Sequence, residues 1–168
     1  MKLILTLLLA ATLAPAQPKV DSIEGLWQGF DGEWAHVSRL LLALAEAIPA
    51  EKYGWRPAPN VRSTSEVLLH TASANYSLLS LTGPPVPKDF NSSATMSKPE
   101  VIAWLRQSLD AVKSARPKLT PSDLNRKVKV GNREATVDGI YLRIIVHANE
   151  HLGQLIAYAR INGIAPPW

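Results

Sequence analysis

Histidines at positions 36, 70, 147 and 151 are the side chains of this sequence best suited to chemistry. His147 and His151 are four residues apart, so in a helix they occupy consecutive turns of one face, about 6 Å apart along the axis at roughly 1.5 Å per residue. The stripe that holds them reads Ile140, Ile144, His147, His151, Leu155, Tyr158, so two imidazoles interrupt an otherwise apolar face. Unpaired imidazoles in a core are costly to desolvate, and a cation that takes a lone pair from each removes much of that cost. Two readings stand for the pair: a bidentate metal clamp, or two core histidines that each hydrogen-bond a neighbour.

A third donor would favour the clamp, and His70 is the best placed. It lies two turns into a second predicted helix, with Ser73, Ala74 and Ser77 on the same side leaving room for a ligand. Three neutral histidines with an open fourth position make a catalytic zinc geometry, whereas closed structural sites normally have four protein ligands. Imidazole equally suits nickel, iron or copper. His36 falls at the border of its own helical stripe and reads as a structural or surface residue. Glu150 points about 100° from each helical neighbour and either supports the rings from a distance or is simply solvated. Gln154, one turn after His151, reads either as a partner for a ligand ring or as a core-edge amide. Glu66 is the carboxylate nearest His70 in sequence, and its spacing from Ser63 favours a capping role over that of a general base.

His147-Ala-Asn-Glu150-His151 also spells H-x-x-E-H, the inverted zinc-protease motif. Those proteases take a further acidic ligand well downstream. No Asp, Glu, His or Cys follows His151, so the third donor must come from upstream and the protease reading falls away.

The elements that must position these side chains are helical. A stripe of Phe30, Trp34, Val37, Leu41, Leu44 and Ile48 predicts a first helix over about 23–47, closed by Pro49. Ser63 and Glu66 have the S-x-x-E spacing of a capping box and open a second helix to about Leu81, before Gly83-Pro84-Pro85. Ser97 and Glu100, with Pro99 between them, open a third, whose Val101, Leu105, Leu109 and Val112 face inward and which Pro117 closes. The fourth runs from about Val137 to Asn162, ahead of Gly163. Between Leu124 and Ala135, the alternation around Gly131-Asn132 fits either a small hairpin or a bare loop. Four long amphipathic helices without a convincing strand run predict an all-α fold, a four-helix bundle.

Composition agrees with a single domain of 168 residues, 46% hydrophobic and 19% charged. Met1-Lys2, the apolar run Leu3 to Ala14 and Ala14-Pro15-Ala16 have the parts of a secretory signal, with cleavage expected after Ala16 and the domain occupying 17–168. That run is well short of the roughly 20 residues a membrane-spanning helix needs, which argues against an uncleaved anchor. The mature protein is therefore expected to be periplasmic or extracellular, with no membrane contact. The absence of cysteine excludes a disulfide scaffold, a lipid-anchored lipoprotein and a cysteine nucleophile. A formal charge of +4 on scattered bases forms no stripe for nucleic acid.

The stretches Trp55-Arg-Pro-Ala-Pro-Asn60, Ser63-Thr-Ser-Glu66-Val-Leu-Leu-His70, His147-Ala-Asn-Glu-His151-Leu-Gly-Gln154 and Gly163-Ile-Ala-Pro166-Pro167 resemble the DinB family, the DinB/YfiT-like metalloenzymes. The resemblance covers most of the mature chain. It implies a four-helix bundle in which His70, His147 and His151 bind one divalent metal, zinc or nickel foremost, with water completing the site, and it implies a homodimer. Relatives include transferases and isomerases that use low-molecular-weight thiols. Leu152 stands where relatives often carry arginine, which takes away an anion contact from that position. A leader peptide would separate this protein from the cytosolic thiol pool.

Two classes of function follow. One is a metal-dependent enzyme, of hydrolase or thiol-transferase type, acting on a small molecule. The other is a non-catalytic protein, either one that sequesters metal or is braced by it, or a bundle with an empty site that acts through its dimer surface.

Overall fold

Capping chemistry and apolar periodicity account for the helices seen in the computed structural model, which describes residues 29–92 and 96–168. The expected leader, and the part of the first predicted helix before Gly29, lie outside the described residues. Helix α1 (Phe30–Ala47) starts after Gly29, whose φ of 79° suits a residue without Cβ, and carries Asp31 and Glu33 at its positive end. It buries Trp34, Val37, Leu41 and Leu44. The Trp34 indole N–H donates to the carbonyl of Leu109 at 3.1 Å, so its polar edge is satisfied inside the core.

The connection that follows is irregular but hydrogen-bonded. The Tyr53 hydroxyl donates to the Ala45 carbonyl at 2.7 Å, and the amides of Thr64 and Ser65 donate to the carbonyls of Trp55 and Tyr53. Helix α2 (Thr64–Ser80) opens with the expected capping box: the Ser63 amide donates to Glu66 Oε2 at 2.6 Å and the Glu66 amide to Ser63 Oγ at 3.3 Å. Helix α3 (Lys98–Ala115) buries Val101, Leu105, Leu109 and Val112, and Pro117 sits in the single 3-10 turn that closes it.

A short helix α4 (Pro121–Asn125) is an element the apolar periodicity does not announce. Its cue is Thr120-Pro-Ser-Asp123, in which the Thr120 amide donates to Asp123 Oδ2 at 2.8 Å and proline occupies the first turn. Of the two readings for the next segment, the hairpin is correct. Strands β1 (Lys127–Val130) and β2 (Arg133–Thr136) pair antiparallel with Val128 opposite Ala135, joined through Gly131 at φ 58°. Thr136 then caps α5 (Val137–Ile161), donor to its hydroxyl being the Gly139 amide.

The long helices pack as α2 on α3 and α5, and α1 on α5 and α3. Around the bundle the order is therefore α1, α3, α2, α5, and helices consecutive in sequence, α1 and α2, face each other across the diagonal. The consequence for chemistry is that α2 and α5 are neighbours, which brings His70 to the same seam as His147 and His151. One expectation is corrected here. The centre of the buried stripe on α5 is Ile144, Ala148, Leu152 and Leu155, while His147 and His151 lie half-buried at its margin. Leu152 is core, at 5% exposure. Imidazoles at a margin keep access to solvent and ligand, and aliphatic carbons carry the packing, at roughly 1.5–3 kcal/mol for each such side chain buried. Among the described residues, no helix is long and apolar enough to cross a membrane.

Candidate metal centre

His70 of α2 and His147 and His151 of α5 form one cluster whose ligand atoms all lie within 4.8 Å of one another. The Nε2 atoms converge: His147 Nε2 is 3.2 Å from His70 Nε2 and 3.1 Å from His151 Nε2. The three rings meet edge to face, with centroids 4.4 to 5.0 Å apart. His36 is elsewhere, its Nδ1 accepting from Arg39 at 3.1 Å. That fits the structural role expected of it.

Hydrogen bonding fixes which nitrogen His151 turns inward. The main-chain carbonyl of Arg62 can only accept, so the Tyr158 hydroxyl donates to it, at 3.1 Å. Gln154 Nε2 donates in turn to the Tyr158 oxygen at 2.8 Å, which leaves Gln154 Oε1 facing His151 Nδ1 at 2.8 Å. An amide oxygen only accepts. His151 therefore carries its proton on Nδ1 and presents the bare lone pair of Nε2 to the cluster.

With that lone pair in place, no assignment of neutral tautomers gives both short contacts of His147 Nε2 an N–H···N bond of its own. If His147 Nε2 holds a proton, it must divide it between two acceptors. If it does not, it opposes the lone pair of His151. His147 Nδ1 is also buried without a hydrogen-bond partner. A shared cation fits both short contacts: nitrogens about 2.0–2.1 Å from one ion at tetrahedral to octahedral angles lie roughly 2.8–3.4 Å apart, which brackets the 3.2 and 3.1 Å separations of His147 Nε2.

Burial and neighbouring charge keep His147 and His70 neutral. Burial, then the neighbouring His151 and His70, then Arg143 hold the His147 imidazole down to about 4, against a smaller opposing effect of Glu150. Burial, the Arg62 guanidinium and His151 lower His70 as well. Lone pairs are thus available at neutral pH. Glu150 is no ligand: both its oxygens accept from Arg143, at 3.1 and 2.8 Å, on the exposed face of α5.

Beside His70 opens a cleft of about 350 Å³, lined among others by Arg56, Asn60, Arg62, Glu66 and Ser73. The Glu66 carboxylate is held below the usual range, first by the Ser63 amide and also by Arg56, whose Nη2 is 3.0 Å away. It is a weak base for that reason. Ser73 fulfils the expectation that small residues leave space beside His70.

A sequence profile of the DinB superfamily matches residues 33–155, which include all three histidines and Gln154. The chain belongs to the DinB superfamily. Solved structures agree on the DinB fold. A DinB-like protein from Bacillus cereus is 20% identical with a TM-score of 0.72, covering 84% of this chain and 96% of its own. The DinB-like protein YjoA of Bacillus subtilis is also 20% identical, with a TM-score of 0.66 and coverages of 80% and 91%. YfiT of Bacillus subtilis, described as "a probable metal-dependent hydrolase with an unusual four-helix bundle topology", is 13% identical at a TM-score of 0.67, with coverages of 88% and 94%. No curated protein matches the sequence.

Three participants escape a reading by residue type: the Tyr158 hydroxyl, the Arg62 carbonyl and the arginines of the cleft. Tyr158 stands one turn after Gln154, and that i, i+4 spacing was the available cue for the relay. The carbonyl belongs to a residue distant in sequence and has no such cue.

Proposed function

We propose that this DinB protein is a metal-dependent enzyme, of hydrolase or thiol-transferase type, which binds one divalent ion, zinc or nickel foremost, through His70, His147 and His151. The observation that carries the reading is the convergence of three imidazoles from two adjacent helices, one of which, His70, also lines the cleft. An ion held there would supply Lewis acidity, polarising a substrate oxygen or easing ionisation of water or a thiol. His151 is held in its ligating tautomer by Gln154; burial keeps His147 and His70 neutral, aided by His151 and His70 at His147 and by Arg62 and His151 at His70. The cleft walls admit a small molecule on the side of α2, and Ile144, Ala148 and Leu152 of α5 are buried in the core. YfiT, which shares the fold, is described as "a probable metal-dependent hydrolase", and that description supports the hydrolase reading over a purely bracing ion. The same proposal includes export, with cleavage after Ala16.

The test is turnover. Protein loaded with zinc or nickel is assayed against small esters, lactones and thiol-transfer pairs, before and after chelation. The reading expects hydrolysis or transfer that disappears with the ion and returns when the ion is restored. Absence of turnover, with unfolding on chelation, would mark the ion as a structural brace instead.

A further inference from the structure

The cleft beside His70 holds an asymmetric set of charges. Two arginines and one carboxylate line it, and two of these three neutralise each other. Arg56 spends its guanidinium on the fold: Nη2 pairs with Glu66 Oε2 at 3.0 Å and Nη1 donates to the Val61 carbonyl at 2.9 Å. Glu66 is committed twice, to Arg56 and to the Ser63 amide. Arg62 is different. Its main chain is anchored, the carbonyl accepting from the Tyr158 hydroxyl, while among the described residues its guanidinium has no carboxylate partner. Asn60, two residues earlier, adopts φ 68°, a left-handed conformation that asparagine tolerates, and the turn it makes delivers Arg62 to the cleft wall.

We infer that the cleft takes a small organic anion, a carboxylate in the simplest case, with Arg62 holding its charged end and its other polar end reaching the histidine centre. This inference rests on the metal-enzyme reading above, whose ion would bind that second end. A planar guanidinium presents paired N–H donors that match a carboxylate, and the hydrogen-bonded main chain fixes the point from which this exposed side chain leaves the cleft wall.

The test compares zinc-loaded wild type, Arg62→Gln and Arg62→Lys by calorimetric titration with the dicarboxylates succinate, glutarate and adipate, and with butyrate as a singly charged control. Lys113→Gln, on the exposed face of α3, controls for loss of one positive charge elsewhere. Zinc content is measured first for every sample. The expected result is that at least one dicarboxylate binds wild type and Lys113→Gln about tenfold or more tighter than butyrate. That preference should fall to within about twofold in Arg62→Gln, return in part in Arg62→Lys, and leave butyrate affinity and zinc content unchanged. Zinc loading without a dicarboxylate preference in wild type, or a preference that survives in Arg62→Gln, would overturn this inference and leave the metal reading intact. Failure of wild type to load either zinc or nickel would overturn both.

Discussion

Gln154 Oε1 accepts from His151 Nδ1–H at 2.8 Å, and this one contact decides which nitrogen the ring presents to the cluster. The decision is passed down from a main-chain carbonyl, because Arg62 fixes the Tyr158 hydroxyl and Tyr158 fixes the amide. Gln154→Leu should therefore weaken zinc binding by about 10–100-fold in competition with a chromogenic chelator, the usual scale for removing a partner of a ligating histidine. Gln154→Glu keeps an acceptor and should stay within a few fold of wild type. Equal affinity in the leucine variant would show the contact to be idle.

Tyr158→Phe probes the next link. Tyr158 is buried at 6% exposure and its ring packs edge-on against Trp55 at 5.2 Å, a contact that phenylalanine retains. Losing the hydroxyl strands the Gln154 amide and the Arg62 carbonyl, so urea denaturation should report a loss of about 1–3 kcal/mol. Zinc affinity should fall in the same direction as in Gln154→Leu, but less. A variant as stable as wild type would mean that water replaces the hydroxyl at no cost.

Metal-free protein should lose stability as pH falls from about 6.5 to about 4. The folded state holds His147 down to about 4 and lowers His70, so the unfolded chain binds more protons across that window. Where the unfolded state binds more protons, stability rises with pH; the contribution is complete above 6.5 and gone below 4. Urea midpoints measured across this range should slope upward with pH, and His147→Asn should flatten the slope. A flat wild-type profile would contradict the burial and mutual repulsion assigned to these rings.

Much of this was legible in the residues, for physical reasons that differ from case to case. Ser63 and Glu66 identify the start of α2 because a capping box is a local bargain between side chain and amide. The spacing of Val101, Leu105, Leu109 and Val112 identifies the buried face of α3 because packing repeats with the helix. His147 and His151 declare themselves as a pair for the same reason. Local spacing could not reveal that α1 and α2 lie on a diagonal, since ring order depends on how long connections cross the bundle. Nor could it show that Leu152, adjacent to His151 in sequence, belongs to the core while His151 stays at its margin. The relay through Tyr158 was hidden because its last acceptor is a carbonyl 96 residues away in the chain.

Export makes a separate prediction. Mass spectrometry of the protein recovered from the periplasm or medium of a bacterial host should give a mature chain beginning at Gln17. Full-length protein retained in the cytoplasm would contradict the leader.

The most direct test is elemental analysis of purified wild type beside the variant in which His70, His147 and His151 are all alanine, with circular dichroism confirming that both are helical. The account predicts a single divalent ion per chain in wild type and none in the variant. Equal trace metal in the two proteins would contradict it.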